Sequence, residues 1–158
     1  MPGLKACPKS RGFFLLELLV ALALLLAFSL LLYVPAQRFL HRQHAMQLRL
    51  GAQEFAADIR ATQQRALYTN ATGNRLIIHS DKVGYTLEAT QKSKSFAALG
   101  CEGVYFYKQA ANYISFSSLG APNGSQGSSY VLKHTQLSDK SITLTLQPSS
   151  GRVDINEQ

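Results

Sequence analysis

The feature that most constrains the fold is an unbroken apolar run over residues 13–34. Every residue in this run is apolar or small except Glu17 and Ser29. A helix of about 20 residues rises roughly 30 Å, which matches the hydrocarbon core of a bilayer. The run is also longer than the apolar core of about 7–15 residues in an ordinary secretory signal. It therefore predicts a membrane-spanning helix.

A short basic leader, residues 1–12, precedes this run. It contains no acidic residue and carries three basic ones: Lys5, Lys9 and Arg11. The leader ends in Gly12. Three basic residues, Arg38, Arg42 and Arg49, also lie within about 15–20 residues after the run, so the positive-inside rule does not orient the helix. The formal net charge of the whole chain is +7, and with the leader removed the remaining excess is too modest to indicate a nucleic-acid partner.

Residues 35–69 predict an amphipathic continuation of the same helix. Six residues at alternating steps of four and three would lie on one face: Leu48, Ala52, Phe55, Ile59, Thr62 and Ala66. Pro35 would kink the helix rather than end it. Gly73 and Asn74 can adopt the left-handed conformation that stops a helix.

Residues 70–158 predict an antiparallel β domain. Their β-branched and aromatic residues fall in short runs: 75–79, 83–88, 104–107, 113–117, 129–134, 142–147 and 152–155. A sheet with one apolar face needs a cover, which the amphipathic helix provides. The predicted fold class is therefore α+β, a long N-terminal transmembrane and amphipathic helix packed on a small antiparallel β-sheet domain.

Glu17 is the anomaly in the apolar run. A carboxylate at the bilayer centre costs on the order of 3 kcal/mol, and such a group usually has a polar partner. The helix offers no lysine or arginine within reach, which leaves an α-amino group created by cutting the chain. Cleavage between Gly12 and Phe13 would expose one, four residues from Glu17 and on the same helix face. The amine of a neighbouring helix in a staggered bundle would then pair with Glu17.

This arrangement resembles the type IV prepilins, the proteins with a class III signal peptide. The resemblance lies in the basic leader, Gly12, Phe13, Glu17 and the segment "LLELLVALALLL". It implies that a prepilin peptidase cleaves after Gly12 and methylates the amine of Phe13. It also implies that Glu17 guides assembly with other pilin or pseudopilin subunits, on an inner-membrane assembly platform and in contact with membrane lipid. The N-terminus would be cytoplasmic, and the C-terminal domain would lie outside the bacterial cytoplasmic membrane.

The remainder is similar to the minor pseudopilin group typified by GspH, FimT and ComGD. The segment "FAADIRATQQRALYTN" is similar to the end of their long helix, and "SITLTLQPSSGRVDI" to their C-terminal sheet. The resemblance implies a minor subunit of a type IV pilus, a type II secretion pseudopilus or a competence pilus. Two alternatives stay open: an uncleaved single-pass membrane-anchored binding domain, and a DNA-binding competence minor pilin.

The DNA-binding alternative has three candidate contact residues. Some FimT-type proteins bind DNA through a tail in which a second arginine follows a Gly-Arg pair. Here acidic residues, Asp154 and Glu157, follow Arg152, which weakens a phosphate contact at this place. Lys92 and Lys94 are the other candidates, because tyrosines and a phenylalanine that could stack on bases follow them in the sequence.

No catalytic or cofactor motif stands out in the sequence. His41 and His44 are three residues apart, but no cysteine or acid lies near them in sequence to complete a metal site. Cys101 is the only cysteine beyond the leader, so no internal disulfide is predicted for the mature chain. The sequence therefore predicts a protein that is not an enzyme, has no metal or cofactor, and is itself the substrate of a processing enzyme.

Overall fold

The computed structural model describes residues 11–69, 74–123 and 128–158 of the chain. In these ranges it has one long helix, α1 (Arg11–Thr69), and eight strands. The strands are β1 (Arg75–Ile78), β2 (Gly84–Leu87), β3 (Lys92–Ser95), β4 (Val104–Lys108), β5 (Tyr113–Ser115), β6 (Ser128–His134), β7 (Leu137–Leu146) and β8 (Val153–Glu157).

The chain divides into two compact units, Met1–Leu40 and His41–Gln158. In the first unit α1 exposes apolar side chains on every face between residues 14 and 33. This helix is long and apolar enough to cross a membrane. Pro35 lies inside α1 without ending it.

In the second unit α1 buries the face that its periodicity predicts. All six residues of the predicted stripe are buried: Leu48, Ala52, Phe55, Ile59, Thr62 and Ala66. Gly51 lies next to this stripe, where a Cβ atom would come within 3.3 Å of the Val104 side chain. The absence of a side chain at Gly51 therefore lets α1 approach β4 closely.

The eight strands form two four-stranded antiparallel sheets. Sheet A has the order β3-β2-β1-β5, and sheet B has the order β4-β6-β7-β8. Tight hairpins join β1 to β2 and β7 to β8, with Ile78 opposite Tyr85 and Leu146 opposite Val153. The chain leaves sheet A after β3, starts sheet B with β4 and returns to pair β5 with β1.

In the core, an aromatic side chain of α1 contacts both sheets. The Phe55 ring is 5.1 Å from the Tyr85 ring of sheet A. It is also 4.9 Å from Phe106 and 5.9 Å from Tyr130, both in sheet B. The three contacts are edge-to-face, an arrangement that contributes beyond simple area burial. Phe55 thus packs α1 against both sheets.

Candidate assembly and binding sites

Glu17 lies in α1 on an exposed apolar surface. The residues one turn before and after it are apolar: Phe14, Val20 and Ala21. Within the part of the chain that the structure describes, no side chain forms a hydrogen bond or an ion pair with its carboxylate. Ser29, the other polar residue of the run, donates its hydroxyl to the Leu25 carbonyl at 2.8 Å. The helix therefore satisfies Ser29 internally and leaves Glu17 to find a partner elsewhere.

Gly12 and Phe13 lie in the first turn of α1, which begins at Arg11. The side chain of Phe13 is outside the described part of the chain, as are residues 1–10 of the predicted leader. Glu17 follows Phe13 by four residues, about one helical turn along the chain. Cleavage between Gly12 and Phe13 remains a prediction.

Lys94 belongs to a largely buried ionic cluster between β3 and α1. Its Nζ atom is 2.6 Å from Asp58 Oδ2 and 3.8 Å from Glu54 Oε2. The Tyr85 hydroxyl donates to the same Asp58 oxygen at 2.6 Å. Only 15% of the Lys94 side chain and 14% of the Asp58 side chain are exposed. The ammonium group of Lys94 thus holds β3 against α1 and does not face an open surface.

Tyr85 completes this cluster as a hydrogen-bond donor. Burial, together with the hydrogen bond to Asp58, raises the pKa of Tyr85 well above its ordinary value of 10.0. The hydroxyl is protonated at physiological pH even with its ordinary pKa, and the raised pKa keeps it a hydrogen-bond donor at higher pH. Asp58 can therefore accept from a neutral donor and a cation at once, which offsets the cost of burying a carboxylate.

The other two candidate DNA contacts have different surroundings. Arg152 is exposed, and its Nε atom is 2.9 Å from Asp154 Oδ1. Lys92 is exposed on β3 and has no ion pair among the described residues. Lys94 is therefore largely buried, Arg152 is paired with an acid, and Lys92 is exposed without an ion-pair partner among the described residues.

His44 contacts another histidine rather than a metal-binding set. Its ring stacks on His134 of β6 at a centroid distance of 4.6 Å. His134 is 4% exposed, and its Nδ1 atom accepts from the backbone N–H of Gln136 at 3.1 Å. Its Nε2 atom is buried without a hydrogen-bond partner among the described residues. In the described ranges no three metal-binding side chains come together.

The environment of His134 favours the neutral ring. Burial, and then the neighbouring His44, lower the pKa of His134 from its ordinary value of 6.5. Since Nδ1 already accepts a hydrogen bond, protonation there would place two N–H groups against each other. The packing of His134 between sheet B and α1 therefore favours the uncharged ring.

Two further contacts that fix α1 have no local signal in the sequence. Arg49 donates two hydrogen bonds to Glu157 of β8, at 2.6 and 2.8 Å. The same contact lowers the pKa of Glu157. Near the other end of α1, Gln63 donates to the carbonyls of Gly120 and Ser150, each at 2.8 Å. These partners lie between 57 and 108 residues apart in the chain, so periodicity cannot reveal them.

The cluster at Asp58 does leave a partial signal. Glu54 and Asp58 are four residues apart on the flank of the buried helix face. Two like charges at this spacing repel each other, so a nearby cation is expected. The sequence does not identify Lys94 as that cation, because it lies 36 residues away in the chain.

Comparison with known proteins identifies the fold of this chain. No family model and no curated protein matches the chain. Among solved structures, the chain is similar to the type IV minor pilin FimU of Pseudomonas aeruginosa, with a TM-score of 0.58 and 15% sequence identity. The match covers 71% of this chain and 90% of FimU. The chain therefore has the type IV pilin fold, a long N-terminal helix packed on antiparallel sheets.

Proposed function

We propose that the chain is a minor pilin or pseudopilin subunit of a type IV pilus, a type II secretion pseudopilus or a competence pilus. The observation that carries this proposal is Glu17, a carboxylate with no partner among the described residues, on an exposed apolar helix attached to a pilin fold. The solved structure with which the chain shares this fold is itself a type IV minor pilin. A helix that only anchors a domain has no use for such a carboxylate.

In this proposal a prepilin peptidase cuts between Gly12 and Phe13 and methylates the new amine. The N-terminus lies in the cytoplasm of a bacterium until the cut, as the resemblance of the leader to that of the prepilins implies. The methylated amine stays cationic and pairs with Glu17 of a neighbouring subunit. Inside the filament both charges leave water, so their attraction is much stronger than at a surface. A subunit in the wrong register would bury an unpaired carboxylate, and the pair therefore selects the correct stagger between helices.

The alternative of an anchored domain that is neither cleaved nor assembled makes a different use of α1. In that case Glu17 would have no partner and its replacement by an apolar residue would favour membrane insertion. The DNA-binding alternative is not favoured, since Lys94 and Arg152 are paired with Asp58 and Asp154. The surface that remains at these positions offers only Lys92 as a free cation.

The test compares Glu17→Ala and Glu17→Gln with Ser29→Ala. Ser29 is the matched control, because it is the other polar residue of the run and is satisfied within α1. Each variant is expressed with its partner subunits, and the amount of the chain in sheared filaments is compared with the amount left in the membrane. We expect the fraction of the chain found in filaments to fall more than about tenfold in both Glu17 variants, because the N-terminal amine of the neighbouring subunit loses its counter-charge.

Ser29→Ala should assemble like the wild type. Glu17→Ala should still be cut at Gly12, since assembly and processing are separate steps. Normal filament content of Glu17→Ala and Glu17→Gln would contradict the proposed role of Glu17.

A further inference from the structure

A groove of about 350 Å³ lies in the second unit between the first turns of its helix and strands β7 and β8. Its principal lining residues are Arg42, Met46 and Arg49 of α1, Lys140 and Ile142 of β7, and Glu157 of β8. We call it the basic groove. It is open to solvent along one side, so a ligand could enter without any movement of the fold.

The basic groove is lined by more cationic than anionic side chains, and the cations differ in whether they form an ion pair. Arg49 is engaged by Glu157 through two short hydrogen bonds. Arg42 and Lys140 are exposed and form no ion pair within the described ranges. Lys140 lies near enough to Glu157 to lower its pKa, although the main cause is Arg49. Two cations from different elements therefore remain available to an anion.

The groove also has an apolar side. Ile142 is buried beneath it, whereas Met46 is 72% exposed although it belongs to a helix packed on a core. A flexible, exposed methionine beside two free cations matches a ligand that carries a negative group and an apolar portion. Free inorganic phosphate would use the cations and leave Met46 without a contact.

We propose that the basic groove binds the phosphate headgroup of an anionic phospholipid, with the glycerol and upper acyl chain against Met46. This inference rests on the proposed membrane anchoring of α1. Arg42 is only nine residues after Tyr33, and nine residues span at most about 32 Å even when fully extended. The chain itself therefore keeps the groove near the bilayer surface, where lipid is the most abundant anion. Guanidinium and ammonium groups form charge-assisted hydrogen bonds with phosphate.

The test uses the full chain in detergent micelles. Phosphatidylglycerol or phosphatidylcholine with the same acyl chains is added, and retained lipid is counted by native mass spectrometry. We expect the wild type to retain phosphatidylglycerol in preference to phosphatidylcholine. Arg42→Gln and Lys140→Gln should each lower the retained phosphatidylglycerol by about fivefold, the effect typical of one cation near a lipid surface.

The matched control is the double variant Lys92→Gln/Lys108→Gln. It removes two exposed charges that do not line the groove, and it should retain lipid like the wild type. An equal loss in this control, or unchanged retention in Arg42→Gln/Lys140→Gln, would overturn the inference. Retention of glycerol 3-phosphate equal to that of phosphatidylglycerol would also overturn it, because the ligand would then be a free phosphate compound.

When the chain is purified from cells with an active prepilin peptidase, the same spectra also give the mass of the processed polypeptide. A chain that still carries its leader would contradict processing at Gly12 without affecting lipid retention in the groove. The two proposals can therefore fail independently.

Discussion

At the scale of single residues, Glu17 and Ser29 are two polar groups in the same apolar run. Of the two, only Ser29 has a hydrogen-bond partner among the described residues. The hydroxyl of Ser29 returns its hydrogen bond to the helix backbone, as serine does in apolar surroundings. A glutamate side chain cannot be neutralised by its own backbone, and no cation of the described chain reaches it. The sequence alone predicts this difference, because it depends only on residue type and spacing.

His134 is a residue whose behaviour the sequence does not predict. Its folded-state pKa lies below the ordinary value of 6.5, so the unfolded chain takes up a proton that the folded chain does not. The free energy of unfolding should therefore fall as the pH drops below about 6.5, and should level off below the lowered pKa. Denaturant unfolding of the unit His41–Gln158 between about pH 7.5 and pH 5 measures this loss.

Two variants test whether His134 is the origin of this pH dependence. His134→Phe keeps a flat ring next to His44 and removes the titrating group, so the loss of stability at low pH should become smaller. His41→Gln is the control. It also removes a histidine, but one whose side chain is exposed and lies 3.9 Å from the exposed carboxylate of Asp139. A pH dependence that His134→Phe leaves unchanged would rule out His134 as its origin.

At the scale of elements, α1 and β3 differ in how well the sequence predicts them. The buried face of α1 follows from helical periodicity, and all six predicted residues are buried. Strand β3, with the sequence Lys-Ser-Lys-Ser, was not predicted because it has no apolar residue. It forms at the edge of sheet A, where an inward-pointing lysine also discourages pairing with another chain. Its stability depends on the contact between Lys94 and Asp58, which is long-range.

Asp58→Ala tests this contact. It would leave the Lys94 ammonium largely buried with only Glu54 nearby, at 3.8 Å. We expect the free energy of unfolding of the unit His41–Gln158 to fall by about 2–4 kcal/mol, because a mostly buried charge loses its partner. Replacing Lys94 by methionine in the same chain should restore much of this loss, which a double-mutant cycle measures.

Glu157→Gln is the control for Asp58→Ala. It weakens an ion pair between exposed side chains, and such pairs contribute little to stability. A loss in Asp58→Ala no larger than the loss in Glu157→Gln would show that the Asp58 cluster does not hold β3 to α1.

At the scale of the whole molecule, the sequence predicts the α+β class and misses the division into two sheets. Most strands are visible as short runs of β-branched and aromatic residues, and the two tight hairpins are visible as turn sequences. Which strands pair across longer distances depends on side chains such as Phe55, which contacts Tyr85 of sheet A and Phe106 of sheet B. A periodic pattern does not contain that information, because pairing is decided by packing in three dimensions.

The functional proposal links the first unit to the second. The pilin fold belongs to the packed part of the chain, whereas Gly12, Phe13 and Glu17 belong to the apolar helix. The basic groove adds a third feature, for which we propose the headgroup of an anionic phospholipid as the ligand. Processing, assembly and lipid contact can thus be altered by separate substitutions.

The most direct test of the proposed function is the intact mass of the mature chain purified from cells with an active prepilin peptidase. We expect a polypeptide that begins at Phe13 and carries one additional methyl group on its amine. Gly12→Ala should keep the leader, whereas Gly3→Ala, the control within the leader, should be processed normally. A wild-type chain that still carries residues 1–12 under these conditions would contradict the proposal.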